Sequence, residues 1–290
     1  MRFRRLAVAT VALIACAKSE SVRAPALDDF GHSVNVRSAP QRIVSLNPPI
    51  VELLFALGAG SRLVGRTHWD LSPDSARLAK DLGPGIRPNV EAVLGLRPDF
   101  VILYASNDNR AAANQLRAAG VSTLALKIDH IADFHRAARL LGAIVGDSVR
   151  GAAVSDSVSR TIERVRTATA SLPRRRIFWH IWDAPLITIA RGSYMHELVE
   201  IAGGANIYSD LPDPSPSVSI EDVMKRNPEY VLTGPEGAAK VSRDPRWSAL
   251  PAVKAGRILV ADTTLVGRPS VRLGEAALSL ARLIHPGSVR

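Results

Sequence analysis

The chain has 290 residues, 47% of them hydrophobic and 22% charged, with a net charge of +10. That balance suits one large globular domain or two lobes with their own cores, and it excludes a disordered or low-complexity protein. A single cysteine excludes an intrachain disulfide, so packing must hold the fold.

Arg2, Arg4 and Arg5 open the chain, and Leu6 to Ala15 is then apolar except for Thr10. This stretch is too short to span a bilayer and is read as a secretory signal over residues 1–15. It ends in Leu13-Ile14-Ala15-Cys16, similar to a bacterial lipobox, in which the cysteine becomes the lipidated first residue. Cys16 is therefore expected to carry a lipid anchor, with residues 16–36 as a tether and the body in water. The expected location is exported, periplasmic or cell-surface. Without residues 1–15 the charge is +7. Lys and Arg are scattered apart from Arg174-Arg175-Arg176, which reads as a face toward an anionic ligand or membrane and not toward nucleic acid.

Residues 42–46, RIVSL, are a β-branched strand, and Pro48-Pro49 then open a helix that stops at Gly58 and Gly60. RLVGRT (62–67) is a strand, NVEAVLGL a helix capped by Asn89, and DFVILY (99–104) a strand. The helix NRAAANQLRAAG, the strand VSTLAL and the helix IADFHRAARLLGAIVG follow. Asp147 to Leu172 lacks proline and places Val154, Val158, Ile162 and Val165 at helical spacing, which predicts one long helix. The alternation then restarts. RIFWHIW and PLITIA are strands, SYMHELVEIAGG and SIEDVMKR are helices, EYVLTG and RILVAD are strands, and LGEAALSLARLIHP is a closing helix.

Strands alternating with helices predict an α/β fold with mainly parallel sheets. Residues 90–101, VEAVLGLRPDFV, return 130 positions later as residues 220–231, IEDVMKRNPEYV. A weaker echo pairs ELLFALGAGSRLVG from Glu52 with ELVEIAGGANIYSD from Glu197. The expected organisation is an α/β lobe over 37–146, a linking helix over 147–172 and a second α/β lobe over 173–290.

RIVSLNPPIVELLFALGAGSRLVG, NVEAVLGLRPDFVI and VSIEDVMKRNPEYVLTG make the chain resemble the substrate-binding proteins of ABC importers for cobalamin and ferric siderophores. It is nearest to their cobalamin-binding subfamily, over about residues 28–285. The resemblance implies two Rossmann-like lobes joined by one rigid helix, with a ligand cleft between them; lobes joined by one long helix resist wide hinge bending, so modest motion is expected. It implies a monomer that meets importer permease subunits through one exposed acid per lobe, here Glu91 and Glu221. It implies no cofactor; the cargo is a cobalt corrinoid or a ferric chelate.

In the cleft the resemblance points to Trp69, to Arg268 and to the place held by Ser215, where a cobalamin binder has a tryptophan. Thr264 stands where such binders carry an Asp. The loss of aromatic surface at Ser215 favours another corrinoid, or an anionic chelate read by Arg268, Arg66 or Arg191. Trp182, near its strand end, is expected to face ligand, with Trp179 and Trp247 in the core. His68 and His180 are candidates for the same cleft, as hydrogen-bonding groups or as ligands to the cargo's metal. His196-Glu-Leu-Val-Glu200 lacks the second histidine of a zinc site, and His130 and His135 lie five apart, off one helix face. Nucleophile elbow, P-loop and dinucleotide motifs are missing, so a binding protein is expected and an enzyme is the lesser alternative.

Overall fold

The computed structural model describes residues 27–289, so the signal segment, Cys16 and the start of the tether lie outside it. The first sheet begins at β1 (Ile43–Leu46), whose four residues are all buried, as a strand covered on both faces requires. Pro48 and Pro49 open α1 (Pro48–Ala56), where a missing N–H costs nothing. The sheet continues through β2 (Leu63–Arg66), β3 (Lys80–Asp81), β4 (Phe100–Tyr104) and β5 (Ser122–Leu126). α2 (Val90–Gly95) and α3 (Asn107–Ala118) lie between these strands, and α4 (Ile131–Val145) follows them. The order is β3-β2-β1-β4-β5 and every pair is parallel.

After α5 (Ser148–Thr169) come β6 (Arg175–Trp179), β7 (Trp182–Asp183), β8 (Leu186–Ile187), α6 (Tyr194–Ile201) and β9 (Gly204–Asn206). Then follow α7 (Ile220–Arg226), β10 (Tyr230–Thr233), α8 (Pro235–Arg243), α9 (Pro251–Lys254), β11 (Ile258–Val260), α10 (Thr263–Val266) and α11 (Leu273–Ile284). The second sheet, β11-β10-β6-β9, is again wholly parallel. β6 occupies the place of β1, β9 that of β2, β10 that of β4 and β11 that of β5. The duplicated stretch is thus α2–β4 in one half and α7–β10 in the other.

The strand expected over RIFWHIW ends at Trp179, and that over PLITIA shrinks to Leu186–Ile187. Leu186–Ile187 pairs with Trp182–Asp183 instead, as the two-stranded antiparallel hairpin β7–β8. His180 turns the chain there: its ring meets Thr233 Oγ1 at 3.0 Å and Asp183 Oδ1 at 2.8 Å. In the stretch read as tether, Asp28 is buried and fastened to the first half. Its carboxylate accepts from Arg117 Nη2 at 2.7 Å and from the backbone amide of His32 at 2.8 Å.

The long helix α5 has 22 residues, so it is ~33 Å long. Asp147 caps it by accepting from the Arg150 amide at 2.8 Å. Its buried stripe, Val158, Ile162 and Val165, belongs to a core that also holds Ile43 and Leu54 from the first half and Leu198 and Leu280 from the second. Two other clusters, one around Val44 and Leu116 and one around Phe178 and Trp247, fill the far faces of the two sheets. α5 packs on α4 and on α11 at glycine contacts. A Cβ on Gly142 would lie 2.6 Å from the Cα of Gly151, and one on Gly274 would lie 2.6 Å from Thr161 Cβ.

Backbone cannot retreat as a flexible side chain can. Gly142→Ala and Gly151→Ala should therefore each lower unfolding free energy by ~1–3 kcal/mol despite the better helix propensity of alanine. Gly95→Ala meets nothing within 4 Å and should be neutral or stabilising. Urea unfolding of the three variants checks this; equal midpoints would show that the helices separate without cost.

Candidate ligand cleft and exposed helix-start acids

In parallel sheets the loops at the carboxyl ends of the strands converge, and ligand sites form there. The β1–α1 turn, the loop after β2 and the segment after β11 meet in this way. They enclose a cavity of about 900 Å³, lined by Pro48, Glu52, Trp69, Leu71 and Arg77 from the first half and Thr263, Arg268 and Arg272 from the second. A second cavity of about 590 Å³ lies over the ends of β6 and β10, lined by Trp179, His180, Thr233 and Glu236. Thr263 and Gly267 line both, so the cavities adjoin across α10.

Trp69 is 52% exposed at the rim of the larger cavity, and its ring meets that of His68 edge to face, centroids 4.1 Å apart. The Arg268 guanidinium donates to the backbone carbonyl of Trp69 and links the two halves. Next to it Asp70 is buried, accepting from the Thr67 amide at 3.0 Å and the Thr67 hydroxyl at 2.7 Å. Burial pushes the Asp70 carboxyl up to about 6, against the hydrogen bonds from Thr67 and the charges of Arg268 and Arg66. The halves also meet at α6. Glu197 accepts from the Ile131 amide at 3.1 Å and lies 2.6 Å from His130 Nδ1, while the Tyr194 amide donates to Asp129 O at 2.6 Å.

Trp69, Arg268 and Thr264 are together in the larger cavity and His180 is in the smaller one. His180 is buried with both ring nitrogens engaged, by Thr233 and Asp183, so it is held as a hydrogen-bonding group. Trp182 is exposed on the β7–β8 hairpin, where its indole donates to Ala184 O at 3.2 Å, and it lines neither cavity. Ser215 is exposed in the loop before α7 and also lines neither. Arg66 is buried and donates to Thr67 O at 2.8 Å, and Arg191 lies exposed outside both cavities. Trp179 and Trp247 are buried, as expected, although Trp179 also forms part of a cavity wall. Among the described residues no three or more His, Cys, Asp or Glu are grouped to hold a metal ion.

Glu52, Arg77 and Arg272 were not anticipated from the sequence. For Glu52 the signal was present: a charged residue inside Ile50-Val51-Glu52-Leu53-Leu54, a helical run that is buried throughout.

Glu91 and Glu221 are exposed in the first turns of α2 and α7. Asn89 caps the first helix, accepting from the Ala92 amide at 3.0 Å, and Ser219 the second, accepting from the Asp222 amide at 3.2 Å. Hydrogen bonds from its own amide and from Ser219 hold the Glu221 carboxyl below the usual range.

Two similar parallel α/β halves, one crossover helix and a cavity between the halves define a two-lobed binding protein. The chain belongs to the periplasmic binding protein family, whose model matches residues 43–265. This is a family of exported substrate-binding proteins, not enzymes. The vitamin B12-binding protein of Vibrio cholerae is 28% identical over 240 residues, 81% of this chain and 86% of that one. An uncharacterized ABC transporter substrate-binding lipoprotein of Bacillus subtilis is 26% identical over 272 residues, 91% of this chain and 86% of that one. The crystal structure of the periplasmic vitamin B12 binding protein of Vibrio cholerae superposes with a TM-score of 0.75 at 25% identity, covering 85% of this chain and 97% of that one. A periplasmic heme binding protein from Pseudomonas aeruginosa shares the fold, with a TM-score of 0.77 at 24% identity over 87% of this chain and 94% of that one.

Asp70 gives the cleft a pH signature. Its folded value of about 6 lies above the ordinary 3.8, so the native state binds the extra proton between those limits. The cost of its charge is absent below pH ~4, grows through pH 4–6 and is complete above ~6, reaching at most ~3 kcal/mol. Relative to Asp70→Asn, the wild type should lose stability as pH rises from 4 to 6. Urea unfolding of both proteins at pH 4, 5, 6 and 7 checks the sign; parallel profiles would refute it.

Proposed function

We propose that this protein captures cobalamin or a related corrinoid in the cleft between its halves and delivers it to an ABC importer. The observation that carries the reading is the larger cavity itself. An exposed indole, Trp69, stands at the rim of a space near the upper end of small-molecule sites, and polar side chains reach it from both halves. Such a site takes a broad, flat ligand with polar substituents on its periphery. The vitamin B12-binding relatives support the corrinoid. A second reading, an anionic ferric siderophore or haem, is favoured by Arg77 from the first half and Arg268 and Arg272 from the second in the cavity lining.

In the same proposal residues 1–15 are removed on export, Cys16 carries the lipid, and Glu91 and Glu221 meet the permease. The matched places of the two acids, each in the first turn of the helix before a central strand, support that last role. Two charges on one rigid body fix its orientation on a partner.

Protein beginning after Cys16 should bind cyanocobalamin one-to-one, followed by tryptophan fluorescence and by heat. Trp69→Ala should weaken binding at least ~10-fold, in line with the area an indole buries. An intact fold that ignores cyanocobalamin but binds haemin or a ferric siderophore would move the cargo to the second reading.

Glu91→Lys combined with Glu221→Lys should leave ligand affinity unchanged and lower stability by no more than ~2 kcal/mol, the cost of two cations at helix N-termini. The same double variant should abolish stimulation of the importer's ATPase by loaded binding protein. Stimulation at the wild-type level would remove these acids from the interface.

A further inference from the structure

Arg174-Arg175-Arg176, the cationic run of the sequence, is largely neutralised in the fold: Arg174 pairs with Glu200 and Arg175 with Glu229. The unneutralised charge lies elsewhere. At the amino ends of the first-half strands, away from the cleft, stand Arg42 ahead of β1, Arg62 ahead of β2 and Arg97 ahead of β4. Arg150 joins them at the start of α5. Arg42 donates to Leu96 O at 2.7 Å, Arg62 to Val145 O at 3.1 Å and Arg150 to Ala56 O at 2.7 Å. These carbonyls belong to the ends of α2, α4 and α1, whose dipoles offset the charge in part and do not cancel it. Among the described residues the ion pairs of this half use other cations. Two acids stand at the same end, Asp99 and Asp147, and their carboxylates accept the backbone amides of Gln41, Arg42 and Arg150.

Two features go beyond helix capping. Arg97 has a φ of 47°, a left-handed backbone that suits glycine or asparagine, and the matched residue of the second half is Asn227 at 44°. The Arg97 side chain is exposed. Leu78 and Val149 are 91% and 82% exposed, more than any other large apolar side chain among the described residues. Val149 adjoins Arg150, and the register that sets Lys80 beside Gly65 brings Leu78 level with the start of β2. Unneutralised arginines beside bare aliphatic side chains suit an anionic bilayer. Headgroup phosphates take the guanidinium forks, and the aliphatic tips enter the boundary between headgroups and acyl chains.

We propose that this end of the first half is a peripheral membrane-binding surface for bilayers with anionic headgroups. It depends neither on the cargo nor on a lipid at Cys16. The cleft lies at the carboxyl ends of the same strands, so it stands off a bilayer held at their amino ends and stays open to water. Glu91 lies in the first turn of α2 and Arg97 just past its end, so that acid and this surface sit at opposite ends of one helix. Each cation at an anionic surface contributes ~5-fold in affinity, and salt screens it.

The test uses protein beginning after Cys16, which carries no acyl chain, sedimented with phosphatidylcholine vesicles with and without phosphatidylglycerol. Wild type should bind the anionic vesicles and not the neutral ones, and high salt should release it. Arg97→Asn combined with Val149→Glu should lower vesicle affinity ~10-fold or more. Its melting temperature should hold or rise, since asparagine suits the left-handed position and an acid suits the first turn of α5. Leu78→Ser leaves the charge alone and should lower affinity a few-fold. Lys254→Gln combined with Arg257→Gln makes the same change in net charge at exposed sites of the second half and should alter nothing. Equal binding to both kinds of vesicle overturns the proposal, as does wild-type affinity in the Arg97 and Val149 double variant. An equal loss in the Lys254 and Arg257 double variant also overturns it, because net charge and not this surface would then set the binding. Displacement from the vesicles by duplex DNA through the same residues would reassign the surface to nucleic acid and overturn it too.

Discussion

The contact on which the rest of the molecule depends is the seating of α5 between α4 and α11. It rests on glycines. At Gly142 and Gly151 two helices touch backbone to backbone, and at Gly274 a third comes down on Thr161. With this approach the inner faces of both sheets drain into one core, and α5 lies across it. That shared core fixes the spacing of the strand ends, and the strand ends form the cleft. A larger residue at Gly142 is therefore a change in lobe spacing as much as a change in helix packing.

The periodic parts of the fold were legible in the sequence. β1, β4 and β5 are short buried runs bounded by turn residues, and α5 carries a helical stripe from Val154 to Val165, about three turns. Asn89 and Ser219 read correctly as caps because capping is local chemistry. β9, three residues long, and the hairpin β7–β8 were not legible, since their pairing depends on partners distant in sequence. α8 was not anticipated: Gly234-Pro235 and Gly237 lie at its start, and such residues are turn signals. Gly237 is needed because a Cβ there would lie 2.0 Å from Thr233 Oγ1.

The site divided along the same line. Trp69 and Arg268 were named from the family resemblance, and both line the larger cavity, in loops after strands. Trp182 was assigned from strand alternation, which stopped applying once the strand broke at His180. Arg77 and Arg272 carried no local signal, since a single arginine in a basic chain is unremarkable until the topology brings it to a wall. Glu52 had a signal of another kind, a charge among five consecutive buried helical positions. The sequence shows that such a residue is out of place, and the fold sets it beside the larger cavity.

A crossover helix buried in a common core also sets how the cleft breathes. Parting the lobes must wet that core. At ~25 cal/mol per Å² of apolar surface, each ~100 Å² bared would cost ~2.5 kcal/mol, enough to hold an open form that exposes that much to about one or two molecules in a hundred. Cargo thus meets a receptacle already shaped, and shape change contributes little to recognition. The same stiffness slows escape, because thermal opening is rare and the occupant must wait for it. Unloading on a useful timescale then calls for force from outside, applied across a body that transmits load between its ends like a beam.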